Sequence, residues 1–119
     1  MLQDSPFPIG KIAEDTYWTW KVLLRASKVV YLNRCVYWYR VGLNNTLSNT
    51  WSEKRIYDEI EAREEKLAIL ASLDYDLTNH ILVYKSRLQR VIVKLEEQNM
   101  QSMEIYRRMM ENCLYFRKY

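Results

Sequence analysis

The chain has 119 residues, 49% of them hydrophobic, which amounts to about one domain with enough apolar material for a core. Its 18 basic and 15 acidic residues are scattered along the sequence, so a net charge of +3 leaves no concentrated footprint for nucleic acid. Cys35 and Cys113 lie far apart, no apolar leader opens the chain, and no apolar run approaches the roughly 20 residues that cross a bilayer; free thiols and a cytoplasmic chain without a membrane span are expected.

Residues 1–10, "MLQDSPFPIG", carry both prolines and one of the two glycines and show no period, so they read as a loop. From about Asp15 to near Ser27 a helix is predicted, with Tyr17, Trp20, Leu23 and Leu24 sharing a face. Glu14 or Asp15 is placed to satisfy its free N–H groups. "VVYLNR" and "CVYWYRVG" come next, two β-branched and aromatic runs too short for helices, joined at Asn33 and Arg34 and closed by Gly42; they predict a hairpin or two short strands. After the polar loop "LNNTLSN", "TWSE" at Thr50 to Glu53 fits a capping box for a helix from Trp51 to about Ser72.

The segment "SLDYDLTN" interrupts that helix, and Asp74 to Asp76 within it read as a capping turn, with His80 in the first turn of the next helix. From Thr78 one long helix is expected, because Ile81, Tyr84, Leu88, Val91, Leu95, Ile105 and Met109 follow a pattern of threes and fours, with Gln98 and Ser102 interrupting the seam between Leu95 and Ile105. The Ile56, Ile60, Leu67 and Leu70 face of the preceding helix is its nearest antiparallel partner. A later helix several turns longer than the earlier one leaves Ile105, Met109 and Met110 uncovered, which predicts a homo-oligomer, a dimer in the simplest case. The expected class is mainly α with a small β element.

Two adjacent carboxylates at a helix start have a plain explanation, since negative charge is favoured there by about 0.3–1 kcal/mol. The surrounding order of motifs points further. "FPIGKIAEDTYW", a helix, "KVVYLNRCVYWYR" and then "TLS" together resemble the end of the catalytic domain in family-two glycosyltransferases of the GT-A type, particularly bacterial ones that build surface polysaccharide, over about residues 7–50. The resemblance implies that residues 1–50 are the C-terminal remnant of a GT-A α/β domain and that residues 51–119 form a helical hairpin for association. It places Asp15 at the catalytic-base position, with Glu14 beside it as helper. A positioned carboxylate, ionised at neutral pH, takes the proton of an attacking hydroxyl and contributes roughly 10² to 10⁴ in rate. Tyr17 and Trp18 are implied to stack on a sugar ring, with core packing as the alternative, which is favoured for Trp20 on the apolar stripe. Lys11 and Arg40 are implied to approach donor phosphates, with plain solvated charges as the alternative.

The nucleotide-binding βαβ units of that family do not occur in these residues, and the letters of its Asp-X-Asp motif occur at Asp74 to Asp76, whose setting between two helices reads as a capping turn instead of a metal site. The implied function is the acceptor-side portion of an inverting glycosyltransferase, acting on a nucleotide sugar and a surface-polysaccharide or glycan acceptor in the full-length context and inactive alone. No cofactor is expected here, whereas full-length relatives would use a divalent cation, Mg or Mn. The implied location is the cytoplasm or the inner membrane surface. The rival reading is a non-enzymatic helical interaction module.

Overall fold

A computed structural model describes residues 6–39, 51–101 and 103–118. They form four helices, α1 (Glu14–Arg25), α2 (Glu53–Ser72), α3 (Thr78–Glu97) and α4 (Glu104–Tyr115), closed by a single 3-10 turn at Phe116–Lys118. The chain divides into two compact units, Met1–Glu59 and Ile60–Tyr119, with the boundary inside α2.

In the first unit α1 begins one residue before the expected start and ends at Arg25, two residues short of Ser27. Tyr17 and Trp20 are its buried side chains, while Leu23 and Leu24 remain exposed, so only half of the expected apolar face is used. The next helix is capped by Ser52, whose Oγ accepts the N–H of Arg55 at 3.2 Å. The capping role expected of Thr50 falls outside the described residues. The same holds for Arg40, Gly42 and the "TLS" stretch.

The β part of the expected fold is corrected. Among the described residues there is no strand. Residues 28–39 run without regular structure, and their large side chains face outward, with Tyr31 85% and Trp38 93% exposed. Aromatic and β-branched residues incline a segment to extend, but a strand exists only when another backbone takes up its N–H and C=O groups. No described segment does so. The joint at Asn33 and Arg34 survives as a tight turn in which the Arg34 N–H donates to the Leu32 carbonyl at 2.8 Å. With the strands falls the expected class, a GT-A α/β fragment, and the regular structure of the described residues is helical instead.

In the second unit the expected single long helix is two. At Asn99 the backbone turns left-handed, φ 55°; the Met100 N–H donates to the Leu95 carbonyl at 2.8 Å and the Asn99 N–H to that of Glu96 at 3.0 Å. That pair of bonds is a Schellman termination, in which the last carbonyls are satisfied by N–H groups from beyond the helix. The same device ends α2: Asp74 has φ 57°, the Tyr75 N–H donates to Leu70 at 3.0 Å and the Asp74 N–H to Ala71 at 3.1 Å. The chain then returns as α4 against α3. Ile105 and Met109 are fully buried within the chain and Met110 is half-buried, so most of the stripe that predicts self-association is already covered. Tyr84, Leu88, Val91 and Leu95 supply the α3 side of this core.

One part-buried polar cluster lies at the edge of the core, around the Tyr84 hydroxyl. Glu64 Oε1 accepts from the Tyr84 hydroxyl at 2.7 Å and from Asn112 Nδ2 at 2.8 Å, and its Oε2 accepts from Arg108 Nη2 at 3.1 Å. Burial, followed by the Glu64 carboxylate, pushes the Tyr84 phenol well above its ordinary value of 10.0. Asp76 plays the capping part expected of it, its Oδ1 accepting both the N–H of Thr78 at 2.9 Å and its hydroxyl at 2.7 Å. These bonds, Thr78's side chain first, hold the Asp76 carboxyl below the usual carboxylate range.

Candidate functional site

The loop that leads into α1 is fixed from α2. Asp58, only 5% exposed, accepts the Ile12 N–H through Oδ2 at 2.9 Å. The Lys54 ammonium donates to the same oxygen at 2.7 Å and to the Gly10 carbonyl at 2.8 Å. Lys11 lies 3.4 Å from Asp58 Oδ1, and its ammonium is 5.5 Å from the centre of the Tyr17 ring. Burial of Asp58 works to raise its carboxyl, but the Ile12 N–H and the two ammonium groups outweigh it and hold the group below the ordinary carboxylate value of 3.8.

Past this clasp the backbone turns sharply. Gly10 has φ 73°, and Ala13, at the N-cap of α1, has φ 62° and ψ 43°. The left-handed conformation costs a residue with a Cβ of order 1–2 kcal/mol, a strain that persists only where the surroundings impose it. Here it carries the chain from the clasped loop straight into Glu14 and Asp15, both of which stay exposed. Asp15 partly fills the plain helix-start role, since its Oδ1 accepts the Thr16 N–H at 2.8 Å. A carboxylate has about four acceptor positions, so this bond leaves capacity for a proton or a hydroxyl.

Glu14 and Asp15 open onto a cleft of about 370 Å³, lined among the described residues by Lys11, Ile12, Ala13, Tyr39 and Arg55 as well. That volume lies near the lower end of the range of about 300–1,000 Å³ usual for small-molecule sites. The structure therefore gathers three of the expected site residues, Lys11, Glu14 and Asp15. It does not bring Tyr17 or Trp18 to the cleft. Tyr17 is 5% exposed, and Trp18 is stacked on Phe7 with ring centroids 4.3 Å apart and planes 21° apart. Arg40, the remaining expected residue, lies outside the described residues.

Two cleft residues carry no sequence signal for a site. Tyr39 falls in a run that predicts a strand, and Arg55 stands in α2 outside any motif. The anchoring role of Asp58 has one visible signal, its spacing of four from Lys54. Among the described residues no group of three or more His, Cys, Asp and Glu side chains gathers to hold a metal ion. The residues here do not by themselves fit the divalent cation of the resembled family, and the chemistry they offer is that of the carboxylates.

The second unit has a groove of about 400 Å³ between Leu67, Leu77, Ile81, Tyr115 and Phe116. Its single carboxylate, Glu64, is already committed to Tyr84, Asn112 and Arg108, so the groove offers no comparable proton acceptor. No helix among the described residues is long and apolar enough to cross a membrane. Cys35 and Cys113 are free thiols.

No family model matches the chain, and no solved structure matches it. Among curated proteins, the glycosyltransferase GlyA of Streptococcus pneumoniae serotype 4 is 37% identical over 89 residues. That stretch is 75% of this chain and 13% of the relative, so the chain spans only a small part of the length of the protein it matches. The similarity supports a relation to a glycosyltransferase without extending to the GT-A type.

Proposed function

We propose that the first unit forms the acceptor side of a glycosyl-transfer site, with Asp15 as the base and Glu14 beside it. The observation that carries this reading is the pair of exposed carboxylates, held by a strained and clasped loop, at the wall of an open cleft. The similarity to a glycosyltransferase supports the reaction class.

In the proposed step an acceptor hydroxyl rests against Asp15. As its oxygen bonds to the anomeric carbon of a nucleotide-linked sugar, its proton passes to the carboxylate. The bond from that carbon to the diphosphate breaks, the nucleoside diphosphate leaves with the electron pair, and the anomeric configuration inverts. The acceptor is a surface-polysaccharide or other glycan hydroxyl. The base contributes by standing within hydrogen-bond reach of the proton, and such groups supply roughly 10² to 10⁴ in rate.

The test is Asp15→Asn in the full-length natural protein, assayed by transfer of radiolabelled sugar from nucleotide sugars to extracted glycan. The amide keeps the shape and loses the proton acceptor, so kcat should fall by about 10²-fold or more while the circular dichroism spectrum is retained. Turnover within a few-fold of the parent removes Asp15 from the role.

A further inference from the structure

The cleft holds more than its carboxylates, and the two residues without a sequence signal make a set. We infer that Arg55 and Tyr39 position the acceptor as a neutral pyranose ring, Arg55 by donating to ring hydroxyls and Tyr39 by packing on the ring's C–H face. The inference rests on the acceptor-side reading of the cleft and names the ligand class and the residues that orient it.

The chemistry of the lining supports that assignment. Glu14 and Asp15 accept hydrogen bonds, Arg55 donates them, and Tyr39 presents an aromatic surface, all around one cavity of about 370 Å³. A sugar ring asks for that mixture: vicinal hydroxyls that both donate and accept, and one apolar face of C–H groups. A guanidinium has five N–H donors in a planar fork, so it can serve a hydroxyl pair together with a protein acceptor. Lys11, the other cation of the lining, is drawn to Asp58 at 3.4 Å and lies over Tyr17, while Arg55 lines the cleft from α2 with donors enough to keep a protein contact and still reach a ligand. Tyr39 is 66% exposed and keeps a tilted contact with Tyr37 at 6.5 Å, so its ring is open to a partner. Two carboxylates set against two cations give the lining no net positive charge, which argues for a neutral ligand over a phosphorylated one that would have to approach Glu14 and Asp15 against their charge.

Single glycosides bind weakly, so the test is a titration of the ¹⁵N-labelled chain with methyl glucoside, methyl galactoside and methyl N-acetylglucosaminide, followed by amide shifts. At least one glycoside should move the amides of residues 11–15, 39 and 55. Arg55→Gln and Tyr39→Leu should each raise its Kd about three- to tenfold, while Tyr39→Phe, which keeps the ring, should stay near the parent. Tyr39 is on the surface, so its variants report even if Arg55→Gln fails to fold. Equal affinity in the parent, Arg55→Gln and Tyr39→Leu overturns the inference. So does the absence of shifts at these amides with all three glycosides, or a stronger response to glucose 6-phosphate than to the neutral sugars. The base role of Asp15 is judged separately by turnover of Asp15→Asn, so the two readings fail independently.

Discussion

Asp58 Oδ2 accepts the backbone N–H of Ile12 at 2.9 Å across 46 positions of sequence, and this bond ties α2 to the loop that delivers Glu14 and Asp15. Replacing Asp58 with Ala leaves the Ile12 N–H and two ammonium groups without their shared acceptor. An orphaned donor costs about 1–3 kcal/mol, and Lys54 and Lys11 are exposed enough to recover water, so the loss should lie in that range. Asp58→Asn, which keeps one acceptor oxygen, should lose less. Hydrogen exchange at the Ile12 amide should speed up before global unfolding does, and an unchanged rate there would show that the loop is fixed by something else.

The same carboxyl gives the first unit an acid limit. Its folded value lies below the unfolded 3.8, so the folded state holds the proton less tightly than the unfolded one. The stabilisation is complete above pH 3.8 and disappears as pH falls through the lower folded value. Acid unfolding followed at the Ile12 amide should therefore begin below about pH 4, and Asp58→Asn should flatten that part of the curve.

The helix boundaries show which parts of the fold the sequence reveals. The starts of α1 and α3 are legible because turn formers and a clear apolar period meet there. The end of α3 is not, because helices most often stop at Gly and the chain stops this one at Asn99. Asn bears a left-handed φ at modest cost, and the period of three and four resumes at Ile105 closely enough to imitate one continuous helix. The runs at residues 29–39 mislead for a different reason. Strand propensity describes side chains that fit a pleated surface, and whether that surface exists is decided by a partner backbone far away in sequence. In the cleft, Glu14 and Asp15 are legible from their motif, while Arg55 and Tyr39 enter only through the way distant segments meet.

If Asn99 is the stop, its substitutions have opposite signs. Asn99→Ala puts a Cβ into the left-handed region without Asn's tolerance for it and should cost about 1 kcal/mol; Asn99→Gly should be neutral or slightly stabilising. Thermal melts of the two variants check this. Equal melting temperatures would mean that the turn between α3 and α4 is held by the packing of Ile105 and Met109 alone.

Tyr84 and Glu64 predict an alkaline limit for the second unit. The folded phenol value is raised, so the stabilisation is complete below the unfolded 10.0 and is lost as pH rises toward the folded value. Alkaline unfolding should set in above about pH 10. Tyr84→Phe removes this proton-linked part of the curve at a neutral-pH cost of about 1 kcal/mol, since Asn112 still donates to Glu64 Oε1 at 2.8 Å. Glu64→Ala is more damaging, because it removes the carboxylate that Tyr84, Asn112 and Arg108 share, with Asn112 keeping its bond to the Tyr84 hydroxyl at 3.2 Å, and about 2–3 kcal/mol is expected. Comparing the pH dependence of urea midpoints in the three proteins separates the contributions.

Trp18 is the residue for which structure and resemblance disagree most directly, and its variant separates packing from sugar binding. The resemblance puts its indole on the sugar; the structure lays it on Phe7, near-parallel at 4.3 Å, outside the cleft lining. Such an aromatic pair contributes about 0.5–1.5 kcal/mol beyond the area it buries. Trp18→Leu should therefore lower stability by roughly that amount, and Phe7→Leu should lower it by a similar amount. Because the two side chains are partners, the double substitution should cost less than the sum of the singles. Glycoside affinity, measured by the same amide titration well below the melting temperature, should match the parent in all three variants. A selective loss of glycoside affinity in Trp18→Leu, with Phe7→Leu unaffected, would return the indole to the sugar and take the stacking role from Tyr39.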